Sequence, residues 1–240
     1  SGWPSLAGLL HGSIQCAAMF GDLIELVRRP FTALQTIDNR RQVSSGLIAL
    51  ALSVTLPAVV TEIAALGPFR PPANLGSLPS LTAQGADIYA RWTYQHRFVL
   101  PIYGAVISAI LWIAAAALIH FIARRLAGRG DFASYLKLVG YAALVGLVAL
   151  PVDLLDALIK LQGNTRLELS IGQISGLLGI AIFLWQNLLL VYGARTHYRI
   201  STERAVAAVI GPIGIVAVVI LALIVLSIVL LLVSQRSLAA

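Results

Sequence analysis

Five long apolar stretches dominate the hydrophobic pattern of this 240-residue chain. A helix needs roughly 20 apolar residues to cross about 30 Å of hydrocarbon, and each stretch is that long. The pattern predicts an all-α polytopic membrane protein, with five transmembrane helices in a domain over residues 45–240. The longest connection, residues 67–97, is expected to begin with a loop rich in proline and glycine over residues 67–80 and to continue with a polar aromatic stretch over residues 89–97. The predicted spans are 46–66, 98–123, 135–159, 171–194 and 206–233.

Prolines modify two of the predicted spans. Pro57 is expected to kink the first span, because proline removes a backbone donor from a helix. Pro151 splits the third span and is followed closely by Asp153 and Asp156. We therefore expect the hydrophobic part of the third span to end near Val152 and the rest to form an interfacial turn.

The N-terminal segment, residues 1–44, has apolar residues at helical spacing, with polar residues between them. Residues 5–28 are too polar to span a bilayer, and the pattern resumes after Pro30 at Phe31 and Leu34. We predict an amphipathic helix lying in the interface on the cytoplasmic face, bound to anionic lipid. Docking against a partner protein would demand the same apolar face. The predicted lipid-facing basic residues are Arg28, Arg29, Arg40 and Arg41.

Composition supports the membrane assignment, since 59% of residues are hydrophobic and only 11% are charged, against roughly 25% charged in average soluble domains. The net charge of +7 comes from Lys and Arg in the connections between apolar segments, which argues against nucleic-acid binding. Eleven basic residues fall on one side of the predicted topology and six on the other. The positive-inside rule then predicts a cytoplasmic N-terminus and an external C-terminus.

Candidate chemistry is sparse. Asp153 and Asp156 share a helix face, as a proton relay or cation site would require. Lys160 follows Asp156 by four residues and could simply pair with it, so we predict that both acids are peripheral. The four histidines lie in separate segments without zinc-site spacing, and the only cysteine, Cys16, excludes an internal disulfide. We expect no catalytic residue, no metal and no cofactor, and therefore no enzyme.

Glycines offer possible helix contacts. Gly172 and Gly176 stand four residues apart in the fourth span, with Gly179 close by, and the second span holds Gly104 and Ser108. Small residues at this spacing let two helix backbones approach closely. The expected partners are therefore other membrane proteins or a second copy of the chain. Ordinary glycine enrichment of membrane helices is the alternative.

Three segments occur in an order that resembles a known family. The first is LVRRPFTALQTI with Pro30 and Phe31, the second is LVGYAALVGLVALP with Tyr141 and Pro151, and the third is HYRISTERAVAAVIGP with His197. Over residues 20–233 the chain looks like the bacterial branch of the Ypt-interacting-protein (Yip) domain family. The resemblance implies five spans, a cytosolic N-terminus and a multi-pass location in the bacterial inner (plasma) membrane.

The resemblance transfers no catalytic residue, and Tyr141, Pro151 and His197 are its candidate functional positions. Eukaryotic members act in vesicle traffic with small GTPases, but the sequence shows no long soluble N-terminal region, which weakens that expectation. The leading hypothesis is a non-enzymatic protein that organises or scaffolds membrane through lipid or protein contacts. Alternatives are an accessory subunit of a bioenergetic or transport complex, and a transporter or channel. The transporter hypothesis lacks charged or broken half-helices near the midplane beyond Pro57, Gln186 and Asn187.

Overall fold

The structure is a computed structural model that describes residues 19–69, 80–162, 165–214 and 222. Within these ranges it is helical and contains no strand, which confirms the all-α class. A 3₁₀ helix, Val145–Ala149, joins the sixth helix to the seventh. The helices are α1 (19–28), α2 (Pro30–Arg40), α3 (Val43–Ala65), α4 (Ser80–Gln95), α5 (Leu100–Arg125), α6 (Phe132–Leu144), α7 (Leu150–Gln162), α8 (Thr165–Tyr198) and α9 (202–214).

Four segments of the described chain are long and apolar enough to cross a membrane: α3, α5, Phe132–Gln162 and Ser170–Tyr198. They correspond to the first four predicted spans. Their outer faces are apolar and exposed, as in Leu111 and Leu177, which suits a surface in contact with lipid rather than water. The fifth predicted span, 206–233, begins within α9 and then lies mostly outside the described residues.

The third span differs from its prediction. α7 continues as a helix to Gln162, so the interfacial turn expected after Val152 is wrong. The irregular part comes earlier, where the 3₁₀ helix precedes Pro151 and the Leu150 N–H bonds to the Leu147 carbonyl. Proline has no N–H, and its ring crowds the carbonyl four residues before it. The chain therefore forms a 3₁₀ helix before Pro151, and the α-helical conformation returns in α7.

The connection between α3 and α5 contains a helix, since α4 (Ser80–Gln95) begins where the predicted proline- and glycine-rich loop ends. The aromatic ring of Trp92 lies 4.7 Å from the ring of His96. Arg97 lies 4.0 Å over the ring of Tyr94 and donates from Nε to the Ala65 carbonyl at 2.9 Å. Arg97 thereby ties the end of this connection to the end of α3.

The core is built around α6. Nine of its 13 residues are buried, namely Tyr135 and every residue from Lys137 to Leu144. A Cβ on Gly140 would overlap the carbonyl oxygen of Gly46 and lie 2.7 Å from its carbonyl carbon. A Cβ on Gly46 would lie 2.8 Å from the Lys137 carbonyl oxygen. The backbones of α3 and α6 are therefore in direct contact, which only glycine allows at these positions.

The helices α1 and α2 lie against the bundle. Leu26 of α1 and Leu34 and Ile37 of α2 are fully or almost fully buried. The Phe31 ring lies 4.5 Å from the ring of Tyr192 on α8. The apolar face expected from the spacing thus contacts the chain's own core. Residues 1–18 lie outside the described residues, and the position of this segment on a membrane surface stays a prediction.

Candidate functional site at the basic end

We use the term basic end for the end of the bundle where α3 and α6 begin and α5 and α8 finish. The three segments predicted to be cytoplasmic meet there. The Arg129 N–H donates to the Tyr198 carbonyl at 3.2 Å, and the Arg204 guanidinium donates to the Leu126 carbonyl at 3.2 Å. The basic residues of these segments are Arg28, Arg29, Arg40, Arg41, Arg124, Arg125, Arg129, Lys137, Arg195, Arg199 and Arg204.

Two helices terminate at this end in the same way. Ala127 and Arg199, just beyond α5 and α8, have φ values of 67° and 56°. The Gly128 N–H bonds to the Ala123 carbonyl at 2.9 Å, and the Ile200 N–H bonds at 3.2 Å to the carbonyl five residues before it. A left-handed residue with such a bond is the Schellman type of helix stop. Both chain reversals are therefore fixed by backbone geometry.

A buried polar cluster of Asp38, Lys137 and His197 joins three elements at the basic end. The Lys137 side chain is only 4% exposed. Its Nζ donates to the Asp38 carbonyl at 2.6 Å and to the Arg41 carbonyl at 3.2 Å, and lies 3.6 Å from the Asp38 carboxylate. A buried ammonium needs such acceptors to offset its lost hydration. Lys137 thereby holds the turn between α2 and α3 against α6.

His197 completes the cluster. Its Nδ1 lies 3.3 Å from the Asp38 carboxylate, and its Nε2 lies 3.0 Å from the Asp131 carbonyl. Both partners accept hydrogen bonds, so a ring protonated on both nitrogens satisfies both. The hydrogen bond from His197 and the nearby charges of His197 and Lys137 lower the pKa of Asp38 below its ordinary value, against the opposing effect of burial.

The loop before α6 packs closely against His197. A Cβ on Gly130 would lie 2.5 Å from His197 Cδ2. Asp131 caps α6, since its carboxylate accepts from the Ser134 N–H at 3.2 Å, and hydrogen bonds from the Ser134 side chain and backbone lower the Asp131 pKa. Tyr198 lies 2.7 Å from His120 through its hydroxyl. The hydrogen-bond partners named for Asp38, Lys137 and His197 are thus all groups of the protein.

A cavity of about 240 Å³ lies beside the cluster, at the start of α3. Arg41 is paired with Asp22 at 2.9 Å, and the hydrogen bond that Arg41 donates to Asp22 raises the Arg41 pKa. Tyr141 is fully buried, and its hydroxyl lies within reach of the Ser45 side chain and the Asp22 carboxylate. The cavity is lined by Met19, Arg40, Arg41, Gln42, Ser44, Ser45, Ile48 and Tyr141.

The acids singled out from the sequence lie at the opposite end of the bundle. Asp153 accepts from the Ser175 hydroxyl at 3.0 Å, and Lys160 Nζ lies 2.6 Å from the Asp156 carboxylate. The pairing of Lys160 with Asp156 that the spacing allows is therefore present. In the described part of the chain, no group of three or more His, Cys, Asp or Glu side chains could hold a metal ion.

The glycines singled out from the sequence contact no other helix in the described part of the chain. A Cβ on Gly104, Gly172, Gly176 or Gly179 would meet nothing within 4 Å. Gly172 and Gly176 are exposed on α8, so they remain available to a separate partner.

The predicted lipid-facing arginines divide into two groups. Arg28, Arg29 and Arg40 are exposed, whereas Arg41 is bonded to Asp22. Contact of any of them with lipid stays a prediction.

Sequence reasoning missed the cluster because it counted Lys137 as one of several loop cations. A usable signal was present, since Lys137 lies within the predicted third span between apolar neighbours. A cation inside an apolar helix needs an acceptor elsewhere in the protein. The identity of that acceptor, the turn carrying Asp38, could not be read from the local pattern.

Four membrane-capable segments, one of which contains the buried α6, and two smaller helices docked at one end define a multi-pass α-helical membrane protein. The family model of the Yip1 domain matches residues 24–233, and the chain belongs to this family. This confirms the resemblance drawn from the three sequence segments. Comparisons with curated proteins and with solved structures gave no match.

Proposed function

We propose that this Yip1-domain protein acts without catalysis, organising or scaffolding membrane through contacts with lipid and other membrane proteins. One observation carries the proposal: polar groups at the basic end bond to one another, whereas the glycine-containing face of α8 is open. Asp38, Lys137 and His197 hold helices together, and Asp38 is the only one of the three with substantial exposure. Such a cluster supports a structural role at this end.

The glycine face of α8 supports contact with another helix. Gly172, Gly176 and Gly179 recur at a spacing that places them along one stripe of α8. Leu177 and Ile180 beside them are 71% and 60% exposed. A stripe of small residues flanked by large apolar ones allows close backbone approach by a second membrane helix. We infer that this face meets a second copy of the chain or another membrane protein.

Site-directed cross-linking tests this contact. Gly176→Cys, in a Cys16→Ser background, is expected to give one discrete cross-linked product in native membranes, identified by mass spectrometry. Ile174→Cys is the matched control, because Ile174 is 53% exposed and lies about 160° away around the helix. Adding Gly172→Leu should abolish the product at position 176. Equal cross-linking at both positions would contradict the proposal.

The proposed orientation places the basic end in the cytoplasm and the C-terminus outside, in the bacterial inner membrane. The support is the excess of Lys and Arg in the segments that meet at the basic end. Reporter fusions at Arg129 and Arg199 should report cytoplasm, and fusions at Asn74 and the C-terminus should report the far side. A C-terminus found inside would refute the five-span topology.

A further inference from the structure

We propose that α1 and α2 form a re-entrant hairpin, which enters the bilayer from the basic end and turns back at Arg29, and that its outer face contacts lipid acyl chains. This deepens the proposed function, on which it rests, by naming a surface of the protein that contacts lipid and the part of the lipid that it contacts. It differs from the flat interfacial helix that the sequence alone predicts.

The chain reverses sharply between α1 and α2. Arg29 is the single residue between the two helices, with φ −139° and ψ 64°. Asp22 on α1 and Arg41 just after α2 are 19 residues apart in sequence, yet their side chains pair at 2.9 Å. A continuous helix would separate these residues by about 28 Å. α1 and α2 therefore run in roughly opposite directions, and the open end of the hairpin lies at the start of α3.

Contacts of α2 with α8 show that the hairpin extends along the bundle. Asp38 of α2 lies 3.3 Å from His197, near the end of α8. Gln35 and Phe31, earlier on α2, both contact Tyr192, which is five residues before His197. Because α8 ends at the basic end, the start of α2 lies farther from that end than Asp38 does.

The bend of the hairpin lies deeper still. Val27 lines an apolar cavity of about 250 Å³, whose other lining residues are Val145, Val148, Ala181, Ile182 and Trp185. Trp185 precedes His197 by 12 residues on α8, which corresponds to about 18 Å along the helix. Val145 follows Lys137 by eight residues, or about 12 Å. The bend is therefore about 12–18 Å deeper in the bundle than the buried polar cluster at the basic end.

This depth lies within the membrane-capable part of α8. Ser170–Tyr198 has 29 residues and is thus about 44 Å long, whereas the hydrocarbon core of a bilayer is about 30 Å thick. At most about 14 Å of the segment can extend beyond the core at the basic end. Trp185 is about 20 Å from Tyr198 along the helix, so it lies inside the core, together with the cavity that Val27 lines.

The outer face of the hairpin is apolar at this depth. Four large apolar side chains are between 44% and 63% exposed, namely Phe20, Ile24, Val27 and Phe31. The first three are four and three residues apart, which places them on one face of α1. Leu26, on another face of the same helix, is fully buried in the bundle. α1 therefore packs against the protein on one side and presents a continuous apolar stripe on the other.

Continuity with a membrane-capable segment favours lipid as the occupant of this stripe. Val148 lines the same cavity as Val27 and is also exposed. It belongs to Phe132–Gln162, one of the four segments that can cross a membrane. The outer face of the hairpin thus continues a surface that faces acyl chains.

The charges at the bend limit how the hairpin sits in the bilayer. Arg28 and Arg29 are exposed there, and Glu25, three residues before Arg28, offsets part of their charge. Arginine side chains inside a membrane extend toward the headgroups and draw water and headgroups inward. The leaflet around the bend should therefore be thinner than the surrounding bilayer.

The test is site-directed spin labelling of the full chain in vesicles of phosphatidylcholine and phosphatidylglycerol. Single cysteines replace Phe20, Ile24 or Val27 in a Cys16→Ser background, and power saturation with oxygen and with a water-soluble nickel complex gives the depth of each label. All three side chains are exposed, so a label does not displace core packing. We expect Val27 to be about 7–10 Å deeper than Phe20, because seven residues separate them along a helix that points into the bilayer.

Leu177→Cys and Asn39→Cys are the matched references. Leu177 is exposed on a membrane-capable helix and should report lipid, whereas Asn39 is exposed near the basic end of α2 and should report water. Equal depths at Phe20 and Val27 would overturn the hairpin and support a flat interfacial helix. Exclusion of both oxygen and the nickel complex at Val27 would overturn the lipid contact and show that protein covers this face. Cross-linking at Gly176 is a separate measurement, so failure of the proposed function is seen independently.

Discussion

The two ends of the bundle are held together by different kinds of contact. At the basic end, side chains donate to backbone carbonyls of distant segments, as Lys137 does to Asp38 and Arg41. At the opposite end, Asp153 and Asp156 bond to the side chains of Ser175 and Lys160, and Arg97 donates to the Ala65 carbonyl. The Lys137 side chain is 4% exposed, whereas the Lys160 side chain is 42% exposed, and exposed pairs rearrange at little cost. The comparison teaches that stability should depend strongly on the basic end and weakly on the opposite one.

A substitution that disturbs the backbone contact of α3 with α6 at the basic end should give the largest loss of stability. Gly140→Ala places a methyl group against the Gly46 carbonyl, so we expect it to lower the free energy of unfolding by about 3 kcal/mol. Gly172→Ala, where a Cβ meets nothing within 4 Å, should be close to neutral. Thermal unfolding in mild detergent measures both variants. Equal unfolding temperatures would show that α3 and α6 are not in backbone contact.

Substitution of Lys137 and of Lys160 compares the stability that one lysine at each end of the bundle contributes. Lys137→Met removes a buried cation that serves two carbonyls and a carboxylate, and should cost about 2 kcal/mol. Lys160→Met removes an exposed partner of Asp156 and should cost about 0.5 kcal/mol. Denaturation of the two variants side by side tests the difference. A Lys160 variant as unstable as the Lys137 variant would break the proposed contrast.

Low pH should destabilise the contacts of the basic end first. Bonding to His197 lowers the Asp38 pKa below 3.8, so the carboxylate stabilises the fold fully above that value and loses this effect as pH falls through its folded pKa. Asp131 acts in the same direction. Asp38→Asn should therefore flatten part of the decrease in unfolding temperature below about pH 4. Parallel curves for the variant and the unaltered chain would refute this role.

The smallest effect is expected at the opposite end. Asp153→Asn combined with Asp156→Asn should change the free energy of unfolding by roughly 0.2–1 kcal/mol, as for exposed pairs. Stability in detergent and ion flux in proteoliposomes should both be measured. If the double change abolished a measured ion or proton flux, the transporter hypothesis would replace the scaffolding proposal.

Local pattern was enough to find the first four spans and the grouping of the basic connections, because apolar runs and basic connections are continuous in sequence. Segments around Arg40, Arg129 and Arg199 were assigned to one side by charge alone, and the fold brings them together. Glycine contacts were not predictable in the same way. Gly172 and Gly176 show a helix-packing spacing and yet meet no helix among the residues that the structure describes, whereas Gly46 and Gly140 lie far apart in sequence and touch. Spacing within one helix does not indicate which face turns inward.

The 3₁₀ helix Val145–Ala149 also changes the angular register of the third span. Five residues turn through about 600° at three per turn, but through about 500° in an α-helix. The two halves of the span are thus rotated by about 100° relative to a continuous α-helix. This rotation sets which side of α7 carries Asp153, and so its meeting with Ser175. A straight helical wheel over Phe132–Gln162 would assign α7 to the wrong face, and one inserted residue would turn Asp153 away from α8.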